Sequence, residues 1–173
     1  MRIQSGITIL ELLFTLTLIT FLIMSVSAIY IVALQGWDNL GHRSDLNQKL
    51  SFGLDRIVRE VHKAKDLSVA NQSLRFTLYQ SGSDQSYIYY LYNLADSWPP
   101  AFNQTSYDLM RTTLTGGIAG TFTYGSGELM ISNLKPPGLT TITSSGNVAT
   151  LTLTGQNKND SMTLRSAVCA RNK

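Results

Sequence analysis

From Ile7 to Leu34 the chain runs for 28 residues in which Glu11 and Tyr30 are the only ionisable side chains. As a helix this run is roughly 42 Å long, against a hydrocarbon core of about 30 Å, so it is long enough to cross a membrane. Glu11 is the exception within it. A carboxylate costs on the order of 3 kcal/mol at the centre of a bilayer and somewhat less toward an end, so it requires a partner. A secretory signal peptide is the competing reading, because "Val26-Ser27-Ala28" fits the small-residue cleavage rule and would leave Ile29 as the new N-terminus. An apolar signal region normally spans about 7–15 residues behind a basic stretch. Here the run is longer, and only Arg2 precedes it.

The rest of the chain has room for one folded head. With 173 residues and 43% hydrophobic composition, a single core is the expectation. The formal charge of +3 is mild and spread along the sequence, which is not the pattern of a nucleic-acid-binding block. Cys169 is the only cysteine, so the fold does not depend on an internal disulfide, and it reads as a small apolar residue near the end of a strand. Gly36 and Gly41 predict a weak point or kink where the helix leaves the membrane, with Trp37 suited to the interface. Leu46, Leu50, Leu54, Ile57, Val58 and Val61 then recur every three or four residues, the stripe of an amphipathic helix. Arg43, Lys49, Arg56, Arg59, Glu60 and Lys63 occupy most of the remaining arc.

The apolar stripe needs a sheet to lie on. "Ser73-Leu74-Arg75-Phe76-Thr77-Leu78-Tyr79" alternates strictly, and "Tyr87-Ile88-Tyr89-Tyr90-Leu91-Tyr92" follows after a polar loop of five residues. Trp98-Pro99-Pro100 places a loop over 95–106. Further strands are predicted at 107–114, 119–125, 128–133, 148–154 and 161–168. The fold class is α+β: a long N-terminal helix packed on an antiparallel sheet.

"Ser5-Gly6-Ile7-Thr8-Ile9-Leu10-Glu11-Leu12-Leu13" resembles the processing site of type IV pilins and the related pseudopilins. The resemblance implies cleavage between Gly6 and Ile7 by a prepilin peptidase, methylation of the new amine on Ile7, and a role for Glu11 in neutralising the amine of a neighbouring subunit. Pairing removes a buried unpaired charge and favours one axial register. Ile7 stands where most members of the family have Phe. The implied organisation is a leader at 1–6, a transmembrane and assembly helix at 7–34, an amphipathic distal helix at 35–66 and a β head at 67–173. The strand order, together with "Gly120-Thr121-Phe122-Thr123-Tyr124" and the ending "Thr163-Leu164-Arg165-Ser166-Ala167-Val168-Cys169", is most similar to J-type minor pseudopilins of type II secretion and to PilW-type minor pilins. The resemblance implies other pilin subunits, the peptidase and methyltransferase, and an inner-membrane assembly platform as partners. The N-terminus would be cytoplasmic and the head periplasmic.

A search for chemistry finds none. His42 and His62 lack metal-site spacing, no phosphate-binding or nucleophile motif is present, and no catalytic residue, cofactor or metal is assigned. Two alternatives to a structural subunit of a secretion or pilus filament remain at this level. One is a DNA-uptake pilus subunit that stacks single-stranded DNA on Tyr87, Tyr89, Tyr90 and Tyr92 beside Arg75 and Arg111. The other is a secreted β protein cleaved after Ala28. Alternate tyrosines lining the core and the outer face of a strand account for the first pattern without a ligand.

Overall fold

The structure, a computed structural model, describes residues 8–146, 148–157 and 160–171. One helix, α1 (Ile9–His62), precedes eight strands: β1 (Asp66–Ala70), β2 (Ser73–Gln80), β3 (Ser83–Tyr92), β4 (Tyr107–Leu114), β5 (Glu128–Leu134), β6 (Thr141–Ser145), β7 (Val148–Asn157) and β8 (Asp160–Cys169). The chain divides into two compact units, 1–41 and 42–173.

In the first unit the described residues form the N-terminal part of α1, and its most apolar window buries nothing. The helix runs without interruption through Gly36 and Gly41, so the expected weak point does not end it. Two isolated glycines cost about 1 kcal/mol each, and a cooperative helix of 54 residues absorbs that penalty.

In the second unit the apolar stripe is buried as its spacing predicts. Leu50, Ile57 and Val61 are fully enclosed, Leu46 and Leu54 nearly so, and Val58 packs at the margin. The strands form one antiparallel sheet in the order β1-β2-β3-β4-β5-β7-β6, with β8 on the other edge of β7. β5 meets β7 only at Leu134↔Gly155. The sheet curls at this narrow join, and its two parts enclose the stripe. Side chains from β2 through β8 contribute to a single cluster around the helix. Gly53 and Gly155 mark the closest approaches: a Cβ on Gly53 would overlap Ile131, and one on Gly155 would lie 2.7 Å from Leu46 Cδ1. Phe76 stacks between Tyr87 and Tyr89, with ring centroids 5.7 and 5.5 Å away. A second cluster covers the other face of the sheet, where Ile88, Tyr90, Met110 and Leu114 lie under Trp98, Phe122 and Tyr124.

Several expectations are corrected. No strand forms over 119–125. Phe122 and Tyr124 are half-buried and Thr121 and Thr123 exposed, so the alternation is real, but it serves a loop that plugs the outer cluster, with one isolated bridge, Thr115↔Thr121. β1 and β6 were not expected, and both are short strands at the margins of the sheet. The five-residue loop between β2 and β3 is a tight two-residue turn at Ser81-Gly82, both with positive φ (53° and 83°), and Gln80 pairs with Ser83. The helix ends at His62 rather than 66. Lys63 and Ala64 donate to the carbonyls of Glu60 and Val61, tightening the last turn, and Asp66 already pairs in β1.

Candidate functional site

Three residues carry the processing and assembly reading. Gly6 and Ile7 lie outside the described residues. Glu11 is the third residue of α1, in its first turn, where the helix dipole favours a carboxylate. Thr8 caps this end: its Oγ1 accepts the Glu11 N–H at 3.3 Å, and its carbonyl accepts those of Glu11 and Leu12, both at 3.1 Å. The Glu11 side chain is exposed, and no side chain among the described residues pairs with it.

The serine and threonine hydroxyls from Thr15 to Ser27 are satisfied internally. The hydroxyls of Thr15, Thr17, Thr20, Ser25 and Ser27 donate to carbonyls three or four residues earlier, for example Ser27 to Ile23 at 2.8 Å and Thr20 to Leu16 at 2.9 Å. They can therefore enter an apolar medium without stranding a donor. Around them Ile9, Leu10, Phe14, Phe21, Leu22 and Met24 are all more than half exposed. Glu11 is thus the one group in an otherwise lipid-compatible surface that still requires a counterion.

The second unit holds a charge cluster that couples the helix to the sheet. Glu60 accepts hydrogen bonds from Tyr89 Oη at 2.8 Å and Arg111 Nε at 2.9 Å. Arg56 forks onto Glu128 through two bonds of 2.7 Å. Burial, and then the hydrogen bond to Glu60, push the Tyr89 phenol well above the usual tyrosine range. Burial is the largest influence on the Arg111 cation and works against it, but the hydrogen bond to Glu60 and the charge attraction of Glu60, with smaller contributions from Tyr89 and Tyr87, together raise its pKa. Arg111 also lies over the Tyr87 ring, 4.2 Å from the centroid. Sequence reasoning placed Glu60 on the solvated arc of the helix. The available signal was its position three residues after Ile57, at the edge of the apolar stripe.

The same geometry encloses three of the four tyrosines considered as a stacking platform for single-stranded DNA, Tyr92 being half-buried. Tyr87, Tyr89 and Tyr90 are buried, and Arg111 is held by Glu60. Arg75 donates to the carbonyls of Ile118 and Gly120. The two histidines do not meet: His42 is within 3.4 Å of Asn157, whereas His62 ends α1. Cys169 closes β8 and is exposed.

A long N-terminal helix, apolar at its start and packed farther along on an antiparallel sheet, is a pilin-like architecture. No family model, curated protein or solved structure matches the chain. The fold thus defines an architectural class, and the residues at the start of the helix supply the remaining functional argument.

Proposed function

We propose that this chain is a minor pilin or pseudopilin, a structural subunit anchored in the bacterial inner membrane with its head in the periplasm. A prepilin peptidase cuts between Gly6 and Ile7, the new amine is methylated, and the subunit joins a secretion pseudopilus or type IV pilus, at its tip or in its initiation complex. Assembly is driven by ATP hydrolysed in another protein of the platform. Other pilin subunits contact the apolar stem, and Glu11 pairs with the Ile7 amine of one of them.

The observation that carries this reading is the continuity of α1. One helix holds both the exposed apolar stretch and the buried stripe of the head. Cleavage after Ala28 would cut inside that helix and leave Ile29, Ile31, Val32, Leu34, Trp37 and Leu40, all exposed, in water on the released product. Retention of the whole segment in lipid and then among neighbouring stems avoids that cost.

Mass spectrometry of the protein from a host carrying the full machinery tests the proposal. A mature chain beginning at methylated Ile7 is expected. Gly6→Val, which places a branched side chain in the peptidase subsite, is expected to leave the leader attached. A mature N-terminus at Ile29 would overturn the reading in favour of a signal peptide.

A further inference from the structure

At the C-terminal end of α1 the head contains a cleft of about 800 Å³ lined by His62, Lys63, Lys65, Tyr79, Asp84 and Arg171. Five cations of the head are paired with carboxylates elsewhere: Arg43 with Asp160, Lys49 with Asp45, Arg56 with Glu128, Arg59 with Asp55 and Arg111 with Glu60. The cleft instead gathers cations from separate parts of the chain. Its single carboxylate, Asp84, is taken by Lys65 at 3.0 Å. Lys63 and Arg171 face the same hollow, and neither forms an ion pair among the described residues; Glu60, which shares the adjoining hollow with Lys63, is engaged by Tyr89 and Arg111. The helix C-terminus accounts for a cation at Lys63, the residue just past its last turn. It gives no reason for Arg171, which enters from the far end of the chain. Tyr79, 72% exposed, adds an apolar wall.

We infer that this cleft docks a short acidic polypeptide segment of a partner protein, with carboxylates held by Lys63 and Arg171 and an apolar side chain against Tyr79. Charge complementarity selects the occupant. The volume is that of a pocket for a few side chains. A nucleic-acid strand needs a basic track with several stacking rings. Here Tyr79 and the smaller His62 imidazole are the rings among the described lining residues, and Asp84 interrupts the cations. The inference rests on the geometry of the head and holds whichever filament, if any, the chain enters.

The test uses the full-length protein in nanodiscs of zwitterionic phosphatidylcholine and follows the fluorescence anisotropy of labelled hexaglutamate at about 50 mM salt, where screening is weak. Saturable binding that weakens as salt rises is expected. Lys63→Glu combined with Arg171→Glu should reduce affinity at least about tenfold, while Arg165→Glu, outside the cleft, should leave it unchanged. Asp84→Asn releases Lys65 and should tighten binding, a gain that misfolding cannot produce. The inference is overturned by a parent protein that does not bind the peptide, by equal loss in Arg165→Glu, by no gain in Asp84→Asn, or by tighter binding of a thymidine hexanucleotide than of hexaglutamate.

Discussion

Leu50→Ala probes the docking of the helix on the sheet where the structure makes its cost easiest to work out. Leu50 is fully buried, and its two Cδ atoms lie 3.1 and 3.2 Å from the point a Cβ on Gly155 would occupy. Truncation of a buried leucine costs about 2–5 kcal/mol, the larger values arising where the surroundings cannot collapse into the void. Here the floor is the backbone of β7 at a glycine, held in the sheet by pairing to both β5 and β8. No side chain at that position can move in, so a loss of about 4 kcal/mol is expected. The assay is urea unfolding of the 39–173 fragment, followed by the fluorescence of Trp98, which packs on Tyr90 and Phe122. At a slope of about 2 kcal/mol/M the midpoint should fall by about 2 M. Gly155→Ala alone should cost about 1–3 kcal/mol by overpacking Leu46 and Leu50. In the Leu50→Ala background the same methyl refills space, so the double variant should be more stable than the sum of the single losses, by about 1 kcal/mol. A loss below about 1 kcal/mol for Leu50→Ala, or strict additivity of the pair, would refute the packing described.

Two predictions concern pH. The Arg56 hydrogen bonds hold the Glu128 carboxyl below the usual carboxylate range, so this pair stabilises the head above the unfolded glutamate pKa and ceases to do so as pH falls through the folded value. Because both side chains are partly exposed, Glu128→Gln should cost less than about 1 kcal/mol at neutral pH and flatten the acid limb of the melting-temperature profile. Tyr89 has the opposite sign: its raised pKa means stability is intact below the unfolded tyrosine value of about 10 and declines as pH rises beyond it. Tyr89→Phe should reduce the alkaline slope, to which Tyr90, Tyr107 and Tyr124 also contribute, while costing about 1–2 kcal/mol at neutral pH through loss of the bond to Glu60.

The parts of the fold that were legible in the sequence are those where side-chain period and ladder coincide. Leu46 to Val61 read as a buried stripe because α1 has one dry face, and Tyr107–Leu114 was placed to the residue as β4. Side-chain period alone failed at 119–125, since a loop that inserts every second side chain, Phe122 and Tyr124, into a cluster has the alternation of a strand without its hydrogen bonds. "Thr141-Ile142-Thr143-Ser144-Ser145" has a single buried side chain, Ile142, too little apolar content to signal β6. Its pairing is that of a hairpin with β7, Ser145 opposite Val148 and Thr141 opposite Thr152, so the strand is held by its neighbour's ladder rather than by an apolar face of its own. The Glu60, Tyr89 and Arg111 cluster is likewise a product of three elements meeting. Glu11 was conspicuous because an apolar run leaves a carboxylate no local explanation.

The central claim, that this chain assembles through its stem with Glu11 as the charge partner of a neighbour's amine, is tested most directly by crosslinking. Cysteines placed on adjacent stems, with Cys169 first changed to Ser, report stem-to-stem contact in membranes carrying the full machinery. With Glu11→Gln the leader should still be cleaved and the protein still inserted, whereas the crosslink should disappear or lose its fixed register, because the neighbour's amine is then buried without a counterion at a cost of several kcal/mol. Glu11→Asp, which keeps the charge on a shorter side chain, should give a partial defect. Crosslinking of Glu11→Gln as efficient as that of the parent would contradict the account and assign the carboxylate to recognition by the peptidase or methyltransferase.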